Sequence, residues 1–151
     1  MINILILNGP NLNLLGERDP QVYGTMTLAR LNSKLTSYAK KQGAVIRARQ
    51  SNHEGELIDI LHQHRKWADG IVFNPGAYSH YSYALRDAVA SIEVATVEVH
   101  LSNIKKREPF RRISVIAPVC VGQFYGKGIG SYLLAIDALL GKRPISQPSD
   151  A

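Results

Sequence analysis

Three short polar clusters, each following an apolar run, hold the side chains of this chain best suited to moving protons or binding an anion. The first is Asn11, Arg18 and Tyr23, in the loop after residues 2–7. The second is Asn74-Pro75-Gly76-Ala77-Tyr78-Ser79-His80; the third is Glu98-Val99-His100-Leu101-Ser102-Asn103, followed by Arg107 and Arg111. Glu98 and His100 stand two apart at the end of an apolar run, so as strand residues they share one face. A carboxylate beside an imidazole orients the ring and favours the protonated form that a general acid requires. The alternative is a structural pair that caps the strand. A free phenol titrates near ~10 and is a useful base only where a cation stabilises the phenolate. Arg18, on the same loop as Tyr23, is a candidate for that cation; the commoner fate of such a tyrosine is to pack over its loop. Asn11 and Asn74 add neutral donors and acceptors. Ser102, with the backbone N–H groups around Leu101, suits a carboxylate, and Arg111 or Arg107 supplies the charge. Base, acid, anion pocket and polar orienters together fit removal of a proton beside a carbonyl with loss of a hydroxyl, a dehydration through an enolate.

The elements that must position these residues follow from periodicity. Short apolar runs alternate with helical patterns, which predicts a parallel sheet covered by helices. Strands are expected at 2–7, 44–49, 70–74, 94–99 and 119–125. Leu28, Leu31, Leu35 and Tyr38 mark a first helix that stops at Gly43. Ser51-Asn52-His53-Glu54 matches a capping box ahead of a helix carrying Leu57, Ile58 and Leu61. A third helix is expected over 80–91, and Tyr132, Leu133, Ile136 and Leu140 mark the last, closed by Gly141. The result is an α/β, flavodoxin-like three-layer sandwich with a five-stranded parallel sheet flanked by helices. Right-handed crossovers bring the strand ends at Asn8, Asn74 and His100 to one edge, where such sheets bind ligands. No helical pattern begins until about Thr27, so the intervening segment, with its polar residues and glycines, reads as a lid; an ordered Ω-loop is the alternative. One catalytic domain is expected over 1–142, with 143–151 a disordered tail that has little to bury.

Composition limits the alternatives. With 151 residues, 45% hydrophobic and 20% charged, the chain has the make-up of one soluble globular domain. No apolar run approaches the ~18 residues that span a bilayer, and no signal-peptide pattern opens the sequence. The single Cys120 excludes an internal disulfide and fits a reducing cytoplasm. The net charge of +6 suits an anionic small molecule or nucleic acid, but zinc-finger spacing, an RNP-type strand and a recognition helix are all missing. Gly126-Lys127-Gly128-Ile129-Gly130 has Ser131 where a dinucleotide fingerprint needs its third glycine, and no P-loop fits 122–127. His62 and His64 point to different helix faces, and Leu57 stands where a zinc-protease helix needs His, so no metal site is expected.

The chain resembles the type II 3-dehydroquinate dehydratases over residues 4–140. The resemblance rests on Asn8-Gly9-Pro10-Asn11-Leu12-Asn13-Leu14-Leu15-Gly16, Val22-Tyr23-Gly24, Gln50-Ser51-Asn52-His53-Glu54-Gly55 and Asn74-Pro75-Gly76-Ala77-Tyr78. Ala84-Leu85-Arg86-Asp87-Ala88, Glu98-Val99-His100-Leu101-Ser102-Asn103 and Arg107-Glu108-Pro109-Phe110-Arg111 complete it. It implies conversion of 3-dehydroquinate to 3-dehydroshikimate and water, in the shikimate pathway or quinate breakdown, by a cytoplasmic homo-dodecamer built as a tetramer of trimers. It implies no cofactor, metal, nucleic acid or membrane partner. In the implied catalytic set, Tyr23 takes the C2 proton as a phenolate favoured by Arg18, which also closes the lid. His100 protonates the departing C1 hydroxyl, Glu98 orients His100, and Asn11 stabilises the enolate through a water. The implied substrate-binding set is Asn74, Gly76, His80, Asp87, Leu101, Ser102, Arg107 and Arg111. Within it Asn74, Leu101 and Ser102 hold the carboxylate, His80 and Arg111 contact ring hydroxyls, and Asp87 reaches a neighbouring subunit's site. Two departures stand out: Arg112-Ile113-Ser114 replaces the family's common His-His-Ser, and residues 121–126 are more polar and aromatic than usual. The competing reading is a flavodoxin-like module that binds a nucleotide or flavin without catalysis.

Overall fold

A computed structural model describes residues 1–147. The apolar runs form strands β1 (Ile2–Asn8), β2 (Ala44–Gln50), β3 (Gly70–Asn74), β4 (Thr96–His100) and β5 (Gly122–Tyr125). All pair in parallel, in the order β2-β1-β3-β4-β5. This is the five-stranded, flavodoxin-like sheet the alternating pattern predicts. Strand β1 alternates its side chains between two cores. Ile4 and Ile6 face α2 (Leu28–Lys41) and α5 (Ile129–Leu139), while Leu5 and Leu7 face α3 (Glu54–His64) and α4 (Tyr83–Ile92). Strands buried on both faces read as unbroken apolar runs, which is why β1 and β3 are the clearest in the sequence. Among the described residues no helix is long and apolar enough to cross a membrane.

Several boundaries differ from the periodic expectation, each for a local reason. Helix α4 starts at Tyr83, not His80, because Gly76–His80 winds into a 3₁₀ turn and the Ser82 hydroxyl then caps the helix at Leu85 N–H (3.0 Å). The capping box at Ser51 does not form: its hydroxyl accepts from His53 N–H (3.0 Å), and the Glu54 carboxylate instead accepts from Ser82 Oγ (2.6 Å). Strand β5 is shorter than expected because Ala117–Val119, with Pro118 inside it, is a 3₁₀ turn. Strand β4 begins at Thr96 rather than residue 94 and runs through His100.

Residues 145–147 run beside β5. Ser146 Oγ accepts from Gln123 N–H (3.0 Å) and Gln147 Oε1 from Tyr125 N–H (2.7 Å), so polar side chains satisfy the open edge of β5. Gly122 has no room for a side chain there, since a Cβ would lie 1.6 Å from Ile145 O. The part of the expected disordered tail at 148–151 lies outside the described residues.

Candidate active site

The floor of the site is laid by sheet register. Asn8 and Asn74 are direct neighbours at the ends of β1 and β3, and both are buried. Tyr132 rises from α5 beneath them, its hydroxyl donating to Asn8 Oδ1 (2.6 Å) and accepting from Asn74 Nδ2 (2.9 Å). Asn74 Oδ1 accepts from Gly76 N–H (3.1 Å), which draws the following turn over the strand end. The two strand-end loops then meet backbone to backbone: Gly9 N–H donates to Asn74 O (2.8 Å), and a Cβ at Gly9 would sit 2.6 Å from Pro75 O. The Gln50-Ser51-Asn52 segment braces the same loop, Asn52 Oδ1 accepting from Asn11 N–H (2.9 Å). Asn11 itself sits in the left-handed region (φ 70°), an Asn-tolerant conformation.

Strand β4 ends in the acid pair. Glu98 is fully buried, and its Oε2 meets His100 Nε2 at 2.8 Å. Ser114 Oγ donates to Glu98 Oε1 (2.6 Å) and Gln123 Nε2 to Oε2 (2.7 Å). Burial alone would raise this carboxyl, but the bond and charge of His100, then Ser114 and Gln123, hold it below its ordinary value. With Nε2 committed to Glu98, His100 has Nδ1 left for the cavity.

The loop after β1 supplies the facing group. Asp19–Gly24 folds into the single turn α1 (Pro20–Tyr23), which brings Tyr23 back over Arg18. Arg18 Nη2 donates to Tyr23 Oη at 3.0 Å while its guanidinium lies 4.3 Å from the ring centroid. Arg107 Nη1 donates to the same oxygen, also at 3.0 Å, and lies 3.5 Å from Ser102 Oγ. One phenol oxygen thus receives two cationic donors.

The resulting cleft has a volume of about 130 Å³. Of the residues expected in the site, Asn11, Arg18, Tyr23, Asn74, Gly76, His80, His100, Leu101, Ser102, Arg107 and Arg111 line it. Glu98 stands behind His100 rather than on the wall. His80 Nδ1 bonds to Ile113 O (2.8 Å); burial, opposed by that bond and helped by the charges of His100 and Arg111, lowers its pKa. Asp87 is exposed on α4, outside the cleft of its own chain. Sequence reasoning missed Ser114, Gln123 and Tyr132 as supports. It offered Arg111 or Arg107 as the charge for the substrate anion; the Arg107 guanidinium reaches both Ser102 Oγ and Tyr23 Oη, and the second contact was not anticipated. Gln123 and Tyr132 are remote in sequence from the residues they support, and the unusual polarity of the last strand was a signal for Gln123 alone; Ser114 follows Arg111 by three residues. Among the described residues no group of three His, Cys, Asp or Glu side chains could hold a metal ion.

Comparison with known proteins adds a family to this geometry. Residues 2–140 match the family model described as dehydroquinase class II. The 3-dehydroquinate dehydratase of Pelotomaculum thermopropionicum is 57% identical over 137 residues, 91% of this chain and 95% of that protein. That of Anoxybacillus flavithermus is 56% identical over 140 residues, 93% of this chain and 95% of that one. The crystal structure of the type II dehydroquinase from Butyrivibrio crossotus superposes with a TM-score of 0.90 at 48% identity, over 92% of this chain and 97% of that one. A 3-dehydroquinate dehydratase-like protein from Bifidobacterium longum superposes less closely, with a TM-score of 0.68 at 30% identity, over 93% of this chain and 99% of that one.

Proposed function

The chain belongs to the class II dehydroquinases, and we infer from that membership and its site geometry that it dehydrates 3-dehydroquinate to 3-dehydroshikimate as a hydro-lyase of the shikimate pathway. The observation that carries the residue roles is a phenol oxygen held by two guanidinium groups in the same cleft as a carboxylate-backed imidazole. Tyr23 takes the C2 proton of the bound ring, and the electron pair moves onto the C3 carbonyl oxygen as an enolate. Asn11 stabilises that oxygen through a bound water. The enolate then collapses, the C1–O bond breaks, and His100 delivers the proton that lets the hydroxyl leave as water. Tyr23 finishes protonated and His100 deprotonated, so one proton returns between them before the next turnover. Glu98 keeps the His100 ring aimed and balances its positive charge. Asn74, Leu101 and Ser102 hold the substrate carboxylate, with Gly76 shaping the wall, while His80 and Arg111 meet the ring hydroxyls.

The assembly belongs to the same reading. Tyr83 and Asp87 stand one turn apart on α4, and Tyr81 (60%), Tyr83 (64%), Phe110 (60%) and Ile113 (66%) leave large apolar groups exposed. Such groups are suited to burial between subunits. We assign them to trimer contacts in a homo-dodecamer, with Asp87 completing a neighbour's site, and we place the enzyme in the cytoplasm.

Addition of 3-dehydroquinate to the purified protein should produce the ultraviolet absorbance of the conjugated product. Treatment with borohydride beforehand should leave the rate intact, since no lysine imine takes part; inactivation would contradict the mechanism. Tyr23→Phe and His100→Ala should each remove about 100- to 10,000-fold of kcat and keep the far-ultraviolet circular dichroism spectrum unchanged. Near-normal turnover by Tyr23→Phe would transfer the base role to another residue.

A further inference from the structure

We propose that Gln123 is a positioning residue of the proton-transfer pair, fixing the Glu98 carboxylate against His100 while its own backbone is fixed by the segment at 145–147. This rests on the dehydratase reading above and adds to it a support chain that runs from the C-terminal segment to the acid.

The sheet sets the geometry. Glu98 and Gln123 are register partners across β4 and β5, so their side chains leave the same face side by side. The Gln123 amide donates to Glu98 Oε2 at 2.7 Å, the same oxygen that His100 Nε2 meets at 2.8 Å. Two donors converging on one oxygen leave the carboxylate little freedom to rotate, and Ser114 Oγ anchors Oε1 at 2.6 Å. A buried carboxylate relies on such donors in place of water. Loss of one loosens the group that aims the imidazole. Hydrogen-bond partners that stand behind a reacting side chain commonly control its orientation and basicity.

Gln123 is in turn held from outside the sheet. Its N–H donates to Ser146 Oγ (3.0 Å) and its carbonyl accepts from Gln147 N–H (3.4 Å). Next to it, Ile145 O lies against Gly122 so closely that any side chain there would force the strap away. Catalysis by His100 therefore reaches, through Glu98 and Gln123, to residues near the end of the chain.

Kinetics of Gln123→Leu against pH would test this. The titratable groups near Glu98 are His100 and His80, with the Cys120 thiol behind it, its pKa pushed up by burial. Removing the amide should lower kcat about 10-fold, the size of a lost charge-assisted hydrogen bond, with KM little changed. The acid limb of kcat should move to higher pH, because the carboxylate has lost a donor that favoured its charged form. In a Glu98→Gln background the same substitution should change kcat by less than about 2-fold. A purely structural role would lower the melting temperature and leave the acid limb where it was, and that result overturns the proposal. If Gln123→Leu does not fold, Ser146→Ala combined with Gln147→Ala loosens the strap at the surface. A smaller fall in kcat with the same limb shift supports the proposal; an unchanged profile overturns it. Failure of the unsubstituted protein to turn over 3-dehydroquinate would remove both readings, whereas full activity with an unmoved limb in the variants removes only this one.

Discussion

At the scale of single residues, the site is organised by how charge is placed around two oxygens. Tyr23 Oη takes donors from Arg18 and Arg107, each at 3.0 Å, and each is a charge-assisted bond available to a phenolate. Arg18→Ala or Arg107→Ala should therefore lower kcat by about 10- to 100-fold in steady-state assays, and the double variant should lose less than the product of the two. The Arg18–Tyr23 contact was legible because the two residues share one loop. The Arg107 role was not, since it comes from 84 residues away and only the folded crossover brings it to the phenol. His80 illustrates the opposite balance. Burial, with the charges of His100 and Arg111, outweighs its bond to Ile113 O and lowers its pKa from 6.5. The unfolded chain thus takes up this proton first, so the stability linked to His80 is full above 6.5 and is lost as pH falls from there toward the folded value. An NMR titration of its ring C–H signals should give a midpoint below 6.5, and His80→Gln should flatten that part of the stability–pH curve. Glu98 carries the same sign at lower pH: its stabilisation is present above the usual carboxylate value of 4.5 and disappears as acid protonates it.

At the scale of elements, strands and helices with strong periodicity stood out in the sequence, while their joints did not. Strands β1 and β3 were plain because they are buried on both faces and have no polar alternation to blur them. The start of α3 misled because Ser51-x-x-Glu54 has the local chemistry of a capping box while its partners lie elsewhere. Glu54 bonds to Ser82, 28 residues on, and that same hydroxyl caps α4. One buried serine thus ties the beginnings of two helices together. Ser82→Ala should cost about 1–2 kcal/mol in urea or thermal unfolding, the range of a lost N-cap. Because the cap lies behind the 3₁₀ turn rather than in the cleft, kcat should stay close to that of the unsubstituted protein. A loss of activity larger than the loss of stability would mean that this turn transmits helix position to the Asn74 loop.

At the scale of the whole molecule, two residues of the expected site do not line the cleft: Glu98, which is buried behind His100, and Asp87, which is exposed on its own chain. Asp87 lies exposed on α4, one turn on from the exposed Tyr83. A single chain thus offers eleven lining residues of the expected set and leaves the Asp87 carboxylate outside its cleft; the partner was expected from the family resemblance alone. In the proposed assembly, each active site takes Tyr23 and His100 from one subunit and Asp87 from another, and that sharing can be tested by mixing. Tyr23→Phe chains keep a working Asp87, and Asp87→Ala chains keep a working Tyr23. Denatured together and refolded, the two variants should form hybrid oligomers in which some sites receive both intact groups. Their activity should exceed that of either variant refolded alone, and sedimentation should show the mass of twelve chains. If the mixture is no more active than the average of its parents while assembling fully, Asp87 serves only the surface of its own subunit, and the catalytic unit is a single chain.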